Sequence, residues 1–331
     1  MNTMTQTRGG QSLLGMDKGR LRVAVTILLT GLFLLVPVYA GVTGDSYSLI
    51  LFGRVLVFAL AAVGLNFALG YGGMVSLGHA MYVGLGAYAV AILSHHGVTN
   101  GVVHLLVVGA VTALLAVPVG LIALRTQGIA FIMITLAFAQ MLFFVFVGLK
   151  QYGGDEGLTI AELSGFGPLT ANKTALYLSM MVALGLALAL LRRVVASRFG
   201  LVLRATRINE RRVRAVGTAP LGYRLVGYVM SAELCAVAGY FLANLTAFAS
   251  PAYMAWTVSG ELIVMVLLGG TGTLVGPVVG AAVFLLLEEG LKALTDHWMA
   301  IMGPIIVLIV LFLKDGLWGL LGDGESEKGG H

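Results

Sequence analysis

GLNFALGYGGMVSLGHAMYVGLGAY, residues 64–88, decides how the rest of the chain is read. Apolar sequence of membrane-spanning length continues on both sides, yet glycines break the stretch at Gly70, Gly72, Gly73 and Gly78. Hydrocarbon offers no partner to a freed backbone group, so an interrupted helix persists in a bilayer only where protein or a water-filled cavity surrounds the break. The stretch therefore predicts a segment lining a passage through a membrane. Asn66, Ser76 and His79 sharpen that expectation, because polar side chains facing lipid are costly and these three sit among the glycines. Two roles remain open for them: contact with a passing solute, or hydrogen bonds between packed helices. The same holds for the glycines, since small residues such as Gly276 and Gly280, or Ala80 and Gly84, also let helices approach closely.

Working outward, 59% of the 331 residues are hydrophobic and 11% are charged, with a mean hydropathy of +0.97. No soluble fold hides that much apolar surface. Runs such as Val102 to Val108 and Ile301 to Leu313 lack the alternation of a barrel strand, so the expected fold is all-α and polytopic. Hydropathy places about ten spans, near 22–40, 49–70, 74–93, 102–124, 129–149, 174–191, 225–247, 258–270, 274–290 and 298–313. They form one transmembrane domain, 23–313, between a basic N-terminal segment, 1–22, and a C-terminal tail, 314–331. Val38-Tyr39-Ala40 loosely fits a signal cleavage site, but the apolar stretch from Val23 to Ala40 is longer than a signal core and reads as a retained first span. Cys235 is the single cysteine and reads as a small buried hydrophobe.

Charge sets the orientation. The connection RRVVASRFGLVLRATRINERRVRAVG, residues 192–217, carries Arg192, Arg193, Arg198, Arg204, Arg207, Arg211, Arg212 and Arg214 against the single acid Glu210. Alternating spans put it on the side of the basic N-terminus and Arg125, which the positive-inside rule makes cytoplasmic. Both termini fall on that side. The connection from Lys150 to Lys173, with Asp155, Glu156 and Glu162, suits the outer face.

A second interruption lies at Gly269-Gly270-Thr271-Gly272-Thr273, followed by Gly276-Pro277, and its Leu-Gly pattern parallels Leu69 to Gly73. Broken segments in matching places of two halves point to a transport site, so Asn66, Gly72, Gly73, Ser76, His79, Gly269, Gly270 and Thr271 are the candidate pathway residues. The second break could equally be a re-entrant segment, which puts the span count at roughly eight to eleven. Glu233 and Glu261 fall near the starts of apolar runs, where long acids reach the interface.

The sequence holds no nucleotide-binding loop, because Gly270-Thr271-Gly272-Thr273 lacks the lysine that would meet phosphate. It shows no metal site, no catalytic set and no feature of nucleic-acid recognition. Any ATP and magnesium would belong to another subunit. The Arg192–Gly217 connection is where such an engine could attach: Leu201, Ala205, Ile208 and Ala215 recur at helical spacing, predicting a short amphipathic helix. A helix lying on anionic lipid and a helix docking on a partner both fit that pattern.

Taken in order and spacing, these residues resemble one family. Gly64-Leu65-Asn66 through Gly70-Tyr71-Gly72-Gly73 to Ser76-Leu77-Gly78-His79-Ala80, Thr135-Leu136-Ala137-Phe138-Ala139, Gly153-Gly154-Asp155-Glu156-Gly157-Leu158 and Leu267 to Pro277 are similar to the permease subunit of bacterial ABC importers of the branched-chain (hydrophobic) amino acid type. The resemblance implies a pathway formed with a second, homologous permease, two cytoplasmic ATP-binding subunits that drive it, and a periplasmic binding protein that delivers solute. It implies residence in the bacterial inner membrane and no cofactor on this chain. Arg204, Arg207, Asn209, Glu210, Arg211 and Gly217 fall in the segment, about 192–220, that resembles the ATPase-coupling element. Two departures stand out. The family's Glu-Ala-Ala pattern is replaced around Arg211, with Glu210 one residue away, and Lys314-Asp315 stands where a proline is common. Relatives of the same family carry urea or short amides, and a stand-alone secondary transporter or channel would share the broken-helix pattern while lacking the arginine segment.

Overall fold

Among the described residues of the computed structural model, six helices are long and apolar enough to cross a membrane. They are α1 (Lys18–Thr43), α2 (Ser46–Asn66, continued by a π-helical turn to Tyr71), α4 (Gly101–Ala123), α5 (Ile129–Gly148), α6 (Lys173–Ala196) and α9 (Pro220–Thr246). The structure describes residues 18–44, 46–165, 172–312 and 316–320. Length and composition thus support six spans where hydropathy predicted about ten. The other four predicted spans are helices too, but α3 (His79–His95), α10 (Trp256–Gly269) and α12 (Trp298–Phe312) are shorter, and α11 (Gly276–Leu294) carries Glu288, Glu289 and Lys292. The chain is mostly helical. One amendment to the all-α expectation is an antiparallel pair of two-residue strands, β1 (Leu158–Thr159) and β2 (Phe248–Ala249), with Leu158 opposite Ala249.

Both predicted interruptions are present, at slightly different places. α2 does not run straight to residue 70: it widens into a π turn over Phe67–Tyr71, and irregular chain follows until α3 begins at His79 rather than near residue 74. The reason is local. Gly73 takes a positive φ of 67°, which an L side chain rarely adopts, and turns the chain out of the helix. The second break is the turn between α10 and α11, where Gly270 and Gly272 have φ of 113° and 75°. It joins two packed helices.

At the centre, α2, α3 and α9 pack face to face, with α4 against α9 and with α10 and α11 against α2. Small residues permit this: a Cβ on Gly86 of α3 would strike the Ala236 carbonyl of α9, and one on Gly239 of α9 would strike that of Val83. Close backbone approach of this kind supplies dispersion contact that lipid cannot displace. α1 and α5 lie at the periphery with most of their surface outward.

On the face opposite the arginine segment, the 150–165 connection is stitched to helix ends. His104 contacts Ser164 Oγ at 2.6 Å and the Val98 carbonyl at 2.8 Å, and Ser164 N–H donates to Asn244 Oδ1 at 2.9 Å. Of the predicted terminal segments, residues 1–17, Lys314, Asp315 and 321–331 lie outside the described residues. The described part of the tail, α13 (Gly316–Leu320), packs on α10 and α11, with Gly316 against the Gly270 backbone.

The close α3–α9 contact sets a testable contrast. Gly86→Ala should destabilise the chain by about 1–3 kcal/mol through overpacking, read as detergent-induced unfolding, whereas Gly185→Ala on α6, with nothing within 4 Å of its added methyl, should not.

Candidate functional site: a clamp between two helix breaks

Asn66, the last α-helical residue of α2, reaches across to the second break. Its Nδ2 donates to the Thr273 carbonyl at 2.7 Å, and its Oδ1 accepts from the Gly272 N–H at 2.9 Å. Both polar ends of one buried amide are used on backbone groups of the same turn, so the two glycine interruptions are held together. Gly70 lies in the gap, where a Cβ would collide with Asn66 Oδ1 and the Gly272 backbone. Thr273 Oγ1 closes the turn from within by donating to the Gly270 carbonyl at 2.8 Å.

The π turn creates a second need. Gly73 N–H donates to Leu69 and Met74 N–H turns back to Ala68 at 3.0 Å, which leaves the Gly70 carbonyl without the donor a continuing helix would supply. Arg207 supplies it, with Nη1 donating to that carbonyl. Arg207 stands on α7 (Arg198–Ile208), the first half of the arginine segment. Its aliphatic stem lies 2.8 Å from the position of a Gly73 Cβ, and its guanidinium 3.7 Å from that of Gly272. One turn earlier on α7, Leu203 is fully buried between Gly72 and Gly227 of α9. A hydrogen bond from a charged donor contributes about 1.5–3 kcal/mol, so α7 is fastened to the first break by one apolar knob and one guanidinium.

The arginine segment is two helices where one was predicted. Asn209 is extended and its Oδ1 accepts from Arg212 N–H at 3.1 Å, making it the N-cap of α8 (Glu210–Ala215). Gly217, at φ 86°, stops α8: its N–H donates to Arg214 and that of Thr218 to Val213, the paired bonds of a left-handed glycine stop. Glu210 is engaged within the chain, accepting from Arg214, from Arg224 of α9 at 3.2 Å and from Gln127. Arg204 turns back to the carbonyls of Gly200 and Val195, while Arg211 is exposed. The predicted apolar stripe faces outward, since the residues that pack inward are Gly200, Leu203 and Thr206. Leu201, Ala205 and Ile208 join Val213 and Val216 around an open groove of about 380 Å³ between α7 and α8.

Ser76 and His79 belong to a neighbouring cluster. Ser76 Oγ accepts from Gly78 N–H at 3.1 Å, Tyr82 donates to the Tyr228 hydroxyl at 3.1 Å, and the His79 ring meets those of Tyr82 and Tyr228 edge-on at 6.0 and 5.4 Å between centroids. His79 is fully buried, and neither ring nitrogen has a hydrogen-bond partner among the described residues. Tyr228 follows Gly227, which touches Leu203, so this cluster adjoins the anchoring of α7. Gly269 lies against the Gly276 carbonyl, and Thr271 is exposed. Glu233 stands in the middle of the 27-residue α9, not near its start, and Glu261 lies close to the Arg54–Glu288–Lys292 charges. Sequence reading missed Arg224, Gln127, Tyr228 and Ser259, whose Oγ accepts from Ala80 N–H at 2.9 Å. Only Arg224 carried a signal, as a lone charge early in an apolar helix.

A family model described as the branched-chain amino acid transport system permease component matches residues 47–311. The chain belongs to this family. This permease is also 23% identical over 287 residues to the high-affinity branched-chain amino acid transport system permease protein LivM of Salmonella typhimurium, covering 79% of the present chain and 68% of the relative. It is 24% identical over 288 residues to the protein of the same name from Escherichia coli, with the same coverage. No solved structure matches the permease significantly.

Removing the clamp should leave the permease folded but weakened. Asn66→Ala strands the Gly272 N–H and the Thr273 carbonyl, at a cost of at least about 2 kcal/mol, measurable by detergent-induced unfolding. Glu210→Ala should speed amide hydrogen exchange in α8 while leaving α2 and α3 protected; unchanged α8 exchange would show that Glu210 does not hold the segment.

Proposed function

We propose that this chain is one membrane-spanning half of an ATP-driven importer, forming part of the route by which branched-chain or other small hydrophobic amino acids cross the bacterial inner membrane. Family membership supports the permease assignment, and the printed function of the two relatives supports the solute class. A second, homologous permease completes the route. A periplasmic binding protein delivers solute to the face carrying the 150–165 connection, and two cytoplasmic ATP-binding subunits dock on α7 and α8. The ten helices α1 to α6 and α9 to α12 cross in alternation, leaving both termini cytoplasmic. ATP and magnesium are held by the partner subunits.

The observation that carries this reading is the reach of Arg207 from the arginine segment to the Gly70 carbonyl, beside the Asn66 clamp. A partner that moves α7 moves the donor on which the first break depends, and the clamp transmits the displacement to the second. The groove lined by Leu201, Ala205, Ile208, Val213 and Val216 offers that partner an apolar seat, with Arg211 and Arg212 at hand for acidic groups. Closure of the ATPase dimer then shifts α7 and α8 as a rigid hairpin, and the spans flanking the breaks exchange outward for inward exposure. Because an effector can shift an equilibrium only by its differential affinity for the two states, the ATPases must bind the two arrangements of α7 unequally.

Charge reversal at both Arg207 and Arg211 should abolish amino acid uptake by vesicles holding the complete transporter, with the permease still inserted. Normal uptake would remove the segment from coupling. Bulky residues at Gly72 or Gly73 should reduce flux by roughly tenfold or more with the ATPases still bound, because both glycines face α7 side chains at close range.

A further inference from the structure

A groove at the cytoplasmic end of α6 has no part in the coupling scheme. Leu188 and Ala189 of α6, and Leu274 and Val275 of the turn leading into α11, give it apolar walls, and Arg192 and Arg193 complete the lining around a volume of about 630 Å³. Along α6 the lining changes from apolar to cationic within one turn. Both arginines are exposed, and among the described residues neither makes an ion pair or a hydrogen bond.

That order of surfaces is the order of a phospholipid, chain first and phosphate next. Two adjacent unpaired guanidiniums call for negative charge, and basic sites between helices on the cytoplasmic side meet it with anionic headgroups. An acidic surface of a soluble partner would satisfy the arginines but leave the apolar walls bare. We propose that this groove binds an anionic phospholipid, its acyl chain along Leu188, Ala189, Leu274 and Val275 and its phosphate between Arg192 and Arg193. The inference rests on the membrane orientation proposed above and not on the identity of the solute. It places a lipid against the segment that follows Thr273, whose carbonyl Asn66 holds, so an occupied groove braces the second break.

The test uses the full chain purified in a neutral detergent and titrated with phosphatidylglycerol, phosphatidylcholine or inorganic phosphate, with bound lipid counted by native mass spectrometry. Phosphatidylglycerol should bind at least about tenfold more tightly than phosphatidylcholine, each arginine contributing roughly fivefold, and inorganic phosphate should not displace it. Arg192→Gln with Arg193→Gln should reduce the preference to about one, while Arg125→Gln with Arg198→Gln, on the same side, should leave it. Ala189→Trp, which fills the groove without changing charge, should weaken both lipids. Equal affinity for the two lipids, a preference that survives the Arg192/Arg193 pair, or full displacement by phosphate would each overturn the proposal. Uptake by the complete transporter is scored separately: no lipid preference in the unaltered chain with uptake intact counts against the lipid site alone, and a preference that depends on Arg192 and Arg193 upholds the site whether or not the chain transports.

Discussion

The side-chain amide of Asn66 is the contact on which the arrangement of this permease turns. A helix broken inside a membrane leaves backbone groups that neither lipid nor the helix itself can satisfy. Here one break supplies the partner for the other: the amide that ends the regular part of α2 takes up an N–H and a carbonyl of the α10–α11 turn. Gly70 is required between them because any side chain would occupy the space of the amide. The glycines of the two breaks are therefore not independent flexible points. They form one fitted joint.

Arg207 adds a third member to that joint from outside the apolar region. Leu203 and Arg207 are one turn apart on α7, so a single helical face presents an apolar anchor and a cationic donor to the end of α2. Glu210 fixes the next helix by a different route, through Arg224 and Gln127. α7 and α8 thus rest on separate supports, the first on the break and the second on the root of α9 and the α4–α5 link. Between them an apolar groove stays open, bordered by exposed arginines.

Much of this was legible in the sequence. Hydropathy located each long described helix to within about five residues at either end, because a continuous apolar run has no other way to bury its backbone, and the glycine clusters marked both breaks. Asn66 stood out as a polar residue where lipid would penalise it. Its partners did not, since nothing in a linear pattern connects position 66 with 272 and 273. The reach of Arg207 to the Gly70 carbonyl was equally hidden among the eight arginines of one segment. Asn209 and Gly217, which the resemblance puts in the coupling segment, have the geometry of a helix cap and a helix stop. Fewer helices meet a span criterion than hydropathy suggests because α3 and α10 are shortened by the breaks beside them and α11 carries charge.

The distance in sequence between the two halves of the joint has a consequence for biogenesis. α2 leaves the ribosome some two hundred residues before the turn that completes it. Until α10 and α11 are inserted, the Asn66 amide sits in the bilayer without its native partners, and the Gly70 carbonyl waits for α7. Native contacts this far apart form late, so a chain cut short before Gly272 exposes a polar helix end where a finished one shows none. Such a mark distinguishes incomplete from complete copies and gives membrane quality control a physical feature to read.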